Sequence, residues 1–270
     1  MNFVHLRVHT EYSLTDSIIR IDNLVSRAVE LGMPAVAVTE SQNLFSAIKV
    51  YTTCLKLGVK PIIGAEVLVE NTKNPNSPFA LVLLCQNNDG YRALCAFVSK
   101  AHNRVKSGGT VLMQENWFNP SSCEGLIALS AAQQGEIGQK LLLNKRDEAS
   151  EALQRLRGNF ENRFYLEVSR FDGQYEASYE AAVLDLANST NTPVVATHQP
   201  RFLNKDDYDL HEVKVCIQER TTISDTNRRS NFTAEQYFRS AEEMSECFLI
   251  CQMHWKIPWK LRNAAIFDSI

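Results

Sequence analysis

Seven short apolar runs punctuate the chain: FVHLRVH from residue 3, PAVAVTE from 34, KPIIGAEVLV from 60, FALVLLCQ from 79, GLIALSA from 125, RFYLEVS from 163 and TPVVATHQ from 192. Each is rich in β-branched and aliphatic residues and is about as long as a typical strand. Between them lie segments with helical spacing of apolar positions, at 21–32, 46–58, 90–104 and 177–190. The first two close on Gly32 and Gly58, a common helix stop. Strands that are almost continuously apolar are covered on both faces, and their alternation with helices predicts parallel pairing through crossover units. Seven such units fit a barrel. An open doubly wound sheet is the alternative, because periodicity does not decide closure.

Composition narrows this picture. With 270 residues and 44% apolar content, the chain can bury a substantial core. Its formal charge of −3 gives no global basic footprint, so contact with nucleic acid would need a local patch or another domain. The seven cysteines, at 54, 85, 95, 123, 216, 247 and 251, sit mostly within apolar runs, as buried thiols do. Cys247 and Cys251 form a C-x3-C pair with no matching second pair, too little for a zinc site. The N-terminal stretch lacks the pattern of a signal peptide, and no apolar run reaches the length of a membrane span. These features predict a cytoplasmic protein without membrane attachment.

In either architecture the functional face lies at the C-terminal ends of the strands. Those ends read His9, Glu40, Glu66, Gln86, Ala131, Glu167 and His198. Any one of them alone would be read as a helix cap or a solvent contact; together they suggest a former ligand set. The opening segment sharpens the question. On an extended strand His5, Arg7 and His9 share a face, and a guanidinium, which keeps its proton, cannot ligate a metal.

The blocks FVHLRVHTEYSLTD, LGMPAVAVTESQNLF, GVKPIIGAEV, NNDGYRAL, EGLIALSA, YLEV, PVVATHQPRFL, HEVKVCI and YFRSAEEM follow one another in order. Together they resemble the N-terminal PHP domains of bacterial DNA polymerase III alpha subunits. The resemblance runs over residues 1–246 and implies a distorted seven-stranded (β/α) barrel of the PHP type. Members with an intact site hold a trinuclear metal cluster at the barrel mouth, suited to phosphoester hydrolysis or proofreading.

Carried over position by position, that ligand set is depleted here. The first motif, H-x-H, falls on Arg7 and His9, and T-D-H-G is replaced by TESQ, with Glu40 and Ser41. Glu66 matches a ligand position, while Ala80 and Ala132 stand where histidine and cysteine are expected. The late N-D-x-H block becomes His198, Gln199 and Arg201, and His211 is kept. His9, Glu40, Glu66 and His211 are too few for a three-metal cluster. Arg7 and Arg201 are expected to replace the ions, each forking onto Glu40 and Glu66. The expectation is a mouth with no catalytic residues, no metal and no cofactor. An alternative reading keeps a degenerate metal-dependent phosphoesterase or 3′-5′ exonuclease that uses Mg, Mn or Zn at His9, Glu40, Glu66, Glu167, His198 and His211.

By the same resemblance the parent protein is a DNA-directed DNA polymerase, a nucleotidyltransferase of DNA replication. Its expected partners are the polymerase core and the epsilon proofreading exonuclease, with DNA reached only through domains outside this chain. The polar loops 71–78 and 103–110 are candidate contact surfaces or ordinary solvated turns. After Glu246 the sequence changes character: residues 247–270 carry Trp255, Trp259 and two cysteines. Synonymous codons exist for this tail that read LFDMPDALENSVEIAQRCNIRFD from the third base of codon 247. That is an acidic turn, a proline and an amphipathic helix, as the resembled family continues. The expectation is a fragment whose tail arose by frameshift.

Overall fold

The structure is a computed structural model that describes residues 3–14, 16–105, 109–171, 176–225 and 232–254, excluding the side chains of 249–254. Six strands form one curled sheet in chain order: β1 (Ala35–Ser41), β2 (Lys60–Val69), β3 (Phe79–Cys85), β4 (Leu126–Leu129), β5 (Phe164–Ser169) and β6 (Val194–Thr197). The α/β class is as expected, but the sheet is a half-barrel of six hydrogen-bonded strands in place of the expected seven-stranded barrel. The missing one is the opening segment. It runs extended beside β1, and Ala37 N and Thr39 N donate to His5 O and Val8 O, both at 2.8 Å, but it forms no ladder.

The all-parallel expectation also needs correction. β1 pairs parallel with β2, and β4, β5 and β6 pair parallel in turn, but β3 runs antiparallel to both its neighbours. Residues 70–78 link β2 to β3, fewer than the roughly dozen a parallel crossover requires, so the strand must turn back. The reversal puts Gln86 at the far end of the sheet, away from the mouth. Ala80, near the start of β3, takes the place at the mouth side and bridges to Gly135.

Side-chain alternation divides the core. Val36 and Val38 of β1 pack outward with Leu24, Val25 and Val50, which belong to α1 (Ile21–Glu30) and α2 (Ala47–Leu57). Their neighbours Ala35 and Ala37 face the concave side with Val82, Leu84, Ile127 and Leu129. A larger outer cluster joins Leu81, Leu83 and Ala128 to α3 (Asn88–Arg104), α4 (Glu136–Leu142), α5 (Arg146–Phe160) and α6 (Glu176–Thr190). Local chemistry sets several of these boundaries. Gly58 ends α2 at φ 75°, a left-handed position that costs glycine nothing. Asn87 caps α3 by accepting from Gly90 N at 2.9 Å.

Two further helices, α7 (Tyr208–Glu219) and α8 (Ala241–His254), complete the described chain. α8 carries the backbone through position 246 without a break, so the change in sequence character there does not end the helix. Trp255 and Trp259 lie outside the described residues, as do positions 106–108 of the second polar loop. Residues 72–76 of the first loop are exposed. Among the described residues no helix is long and apolar enough to cross a membrane.

Candidate functional site at the barrel mouth

Arg7 enters the mouth from the opening segment and is completely buried. Its Nε donates to Glu66 Oε2 at 2.9 Å, Nη1 to Glu167 Oε1 at 3.0 Å and Nη2 to Gln134 Oε1 at 2.7 Å. The planar fork thus ties β2 and β5 to the 3-10 turn Ala132–Gln134, a reach that a lysine's single ammonium could not reproduce. Glu167 is held from several sides. Thr197 Oγ1 donates to its Oε1 at 2.6 Å, Ser130 Oγ accepts from its backbone N–H at 2.9 Å, and Tyr179 Oη donates to its carbonyl at 2.6 Å.

His9 continues the network. Its Nε2 lies 3.0 Å from Glu66 Oε2 and its Nδ1 2.9 Å from Asp16 Oδ2. With two carboxylates as neighbours, the ring donates through both nitrogens when protonated. Arg201 Nη1 donates to the same Asp16 oxygen at 2.6 Å and also lies against His9 Nδ1. That second contact is between two donors and is not a hydrogen bond; the two cations share one carboxylate. With His9 protonated, Arg7, His9 and Arg201 face Glu66, Glu167 and Asp16, and the charges within this network balance.

The titration shifts follow from this pairing. Burial works against the charge on Arg7, but Glu66 and Glu167 outweigh it and raise its pKa further. Burial likewise opposes the charge on Glu66, yet Arg7 and then His9 hold it well below the usual carboxylate range. Burial also opposes Asp16 ionisation, which Arg201 and His9 restore by lowering its pKa. For His9, burial and Arg201 disfavour the proton, but Asp16 and Glu66 prevail and raise the pKa.

Other positions expected to act as ligands lie elsewhere. Glu40 is fully buried but meets neither arginine, contrary to the expected fork. It accepts from Thr10 N at 3.1 Å, from Thr10 Oγ1 and from Ser13 Oγ at 2.5 Å. Arg201 reaches Asp16, not Glu40 or Glu66. A carboxylate supplied with neighbouring hydroxyl and amide donors needs no cation. Ser41 donates its backbone N–H to Ser13 Oγ at 3.1 Å, and Ala80 and Ala131 are part of the apolar concave face. Ala132 packs in the outer core. Gln199 Oε1 accepts from Arg201 Nη2 at 3.4 Å.

His198 is fully buried between two backbone carbonyls, Tyr237 O at 3.0 Å and Arg170 O at 3.2 Å. Burial, with His5 and Arg239 nearby, pushes its pKa down to about 3. His211 Nε2 meets Asp16 O at 3.1 Å, its ring packs on Phe202 and Phe232, and burial lowers its pKa. Asp16 and Gln134 are the members that sequence reasoning missed. Both sit in turns after an extended segment, and neither lies at a strand end. The only signal for Asp16 was its place seven residues after His9.

The residues do not fit a metal cluster. Among the described residues no group of three His, Cys, Asp or Glu side chains is arranged to hold an ion. Both His9 nitrogens face carboxylates, and Glu66, Glu167 and Asp16 each pair with a guanidinium through one oxygen, while Glu167 Oε2 and Asp16 Oδ1 are buried without a hydrogen-bond partner.

Fold and mouth together define an α/β half-barrel in which one arginine, Arg7, bridges the strand carboxylates Glu66 and Glu167. The family follows from comparison with known proteins: a family model described as "PHP domain" matches residues 5–171, and the chain belongs to the PHP domain family. DNA polymerase III subunit alpha of Pseudomonas aeruginosa is 38% identical over 248 residues, 92% of this chain and 21% of that protein. The Escherichia coli K12 protein of the same name is 37% identical over 246 residues, 91% of this chain and 21% of its own length. The chain thus spans about a fifth of the length of these curated relatives. Among solved structures, an amidohydrolase from Chromobacterium violaceum aligns with TM-score 0.48 and 12% identity, covering 78% of this chain and 96% of that one. A two-domain Bacteroides vulgatus protein containing a "predicted PHP-like metal-dependent phosphoesterase" aligns at 0.40 and 13%, covering 89% and 61%.

Proposed function

We propose that this chain is the PHP domain of a replicative DNA polymerase III alpha subunit, catalytically silent, with a structural and partner-docking role. The observation that carries the reading is the charge balance around Arg7. Three basic side chains meet three carboxylates in a buried network, so a divalent ion binding there would meet three cations beside the carboxylates, among them a guanidinium that already has three acceptors. The metal-dependent phosphoesterase or exonuclease alternative would need those same donors free.

The polymerase relatives support a role beside a polymerase core in a bacterial cytoplasm. Polymerase activity itself, and contact with DNA, belong to segments outside this chain. The proposed protein partner is the epsilon proofreading exonuclease, and comigration of the two purified proteins in size-exclusion chromatography tests that docking. The proposed out-of-frame origin of residues 247–270 is tested by the nucleotide sequence: codons that do not yield the acidic turn and helix in the shifted frame overturn it.

The metal-free reading is tested directly. After exposure to Zn²⁺ or Mn²⁺ and dialysis, the chain is expected to retain far less than one ion per molecule by elemental analysis. It is also expected not to hydrolyse bis-p-nitrophenyl phosphate with Mn²⁺ present. Near-stoichiometric metal, or hydrolysis abolished by Glu66→Ala, overturns the reading.

A further inference from the structure

We draw no further inference here: the strongest candidate, the apolar groove on the outer surface between α2 and the start of α3, lined by Ile48, Tyr51, Pro61, Ile63 and Tyr91, is an unpartnered face and nothing in the structure shows what covers it.

Discussion

His9 and His198 are two of the histidines that the metal-dependent alternative would use as ligands, and their surroundings have opposite character. His9 stands between the Glu66 and Asp16 carboxylates, which raise its pKa despite burial. His198 stands between two carbonyl oxygens, which are dipoles and not charges, and burial wins, taking its pKa to about 3. A neutral ring has one N–H, so His198 donates to one of the two carbonyls at a time. Burial alone therefore does not fix the charge of a histidine; the net charge of its acceptors decides whether it serves as a cation or as a neutral strut. The charged side of this comparison is centred on Arg7 and His9; on the other side His198 and His5 are neutral rings held by backbone carbonyls.

The largest effect is expected on the charged side. Arg7→Met should cost about 3–5 kcal/mol in urea denaturation, because Glu66 and Glu167 would be left buried without their cation. Arg7→Lys should recover only part of it, since one ammonium cannot span three acceptors. A loss below about 1 kcal/mol for Arg7→Met would remove the distinction between the two sides.

Proton linkage gives an intermediate effect with a worked sign. His9, with a raised folded pKa, contributes stability that is complete below its ordinary value of 6.5 and is lost as pH rises through the folded value. Asp16 and Glu66, with depressed values, contribute above the ordinary carboxylate range and lose that contribution as pH falls. His5 and His198 titrate in the fold only at about 4 and about 3, so the unfolded chain takes up their protons first and stability falls as pH drops below 6.5. The expected profile declines toward acid, and His198→Gln should flatten the part between pH 6.5 and about 3. Nitrogen NMR of the imidazoles checks the assignment: a His9 ring that loses its proton before His198 does would reverse the comparison.

The smallest effect lies in the backbone that carries the charged side. Ser17 Oγ contacts His9 O at 2.7 Å and Arg201 O at 3.0 Å. Ser17→Ala should cost about 1–2 kcal/mol in the same denaturation measurement without moving either imidazole titration.

Much of this arrangement is legible in the sequence. The apolar runs locate all six strands, and the four segments with helical spacing become α1, α2, α3 and α6. Arg7 is readable because alternation on an extended segment puts it on the same face as His9, and a guanidinium at a ligand position is chemically conspicuous. The reversal of β3 was also readable, since residues 70–78 are too few for a crossover. Which carboxylate meets which arginine was not. Glu40 and Glu66 are both strand-end glutamates, and only the fold shows that Thr10 and Ser13 already satisfy the first. Gln134 depends on left-handed backbone at Ala131 and Ala132, φ 58° and 48°, residues with no sequence preference for it.

The contacts of the opening segment also bear on the order in which the molecule is made. His5, Arg7 and Ser17 bond to Arg239, Glu167 and Arg201, partners 234, 160 and 184 residues away. Loops of that length are slow to close, and their partners leave the ribosome long after the opening segment does. The residues made earlier are therefore among the last to be fixed, and until Glu167 and Arg201 have emerged Arg7 and His9 wait as solvated side chains beside an unfinished barrel.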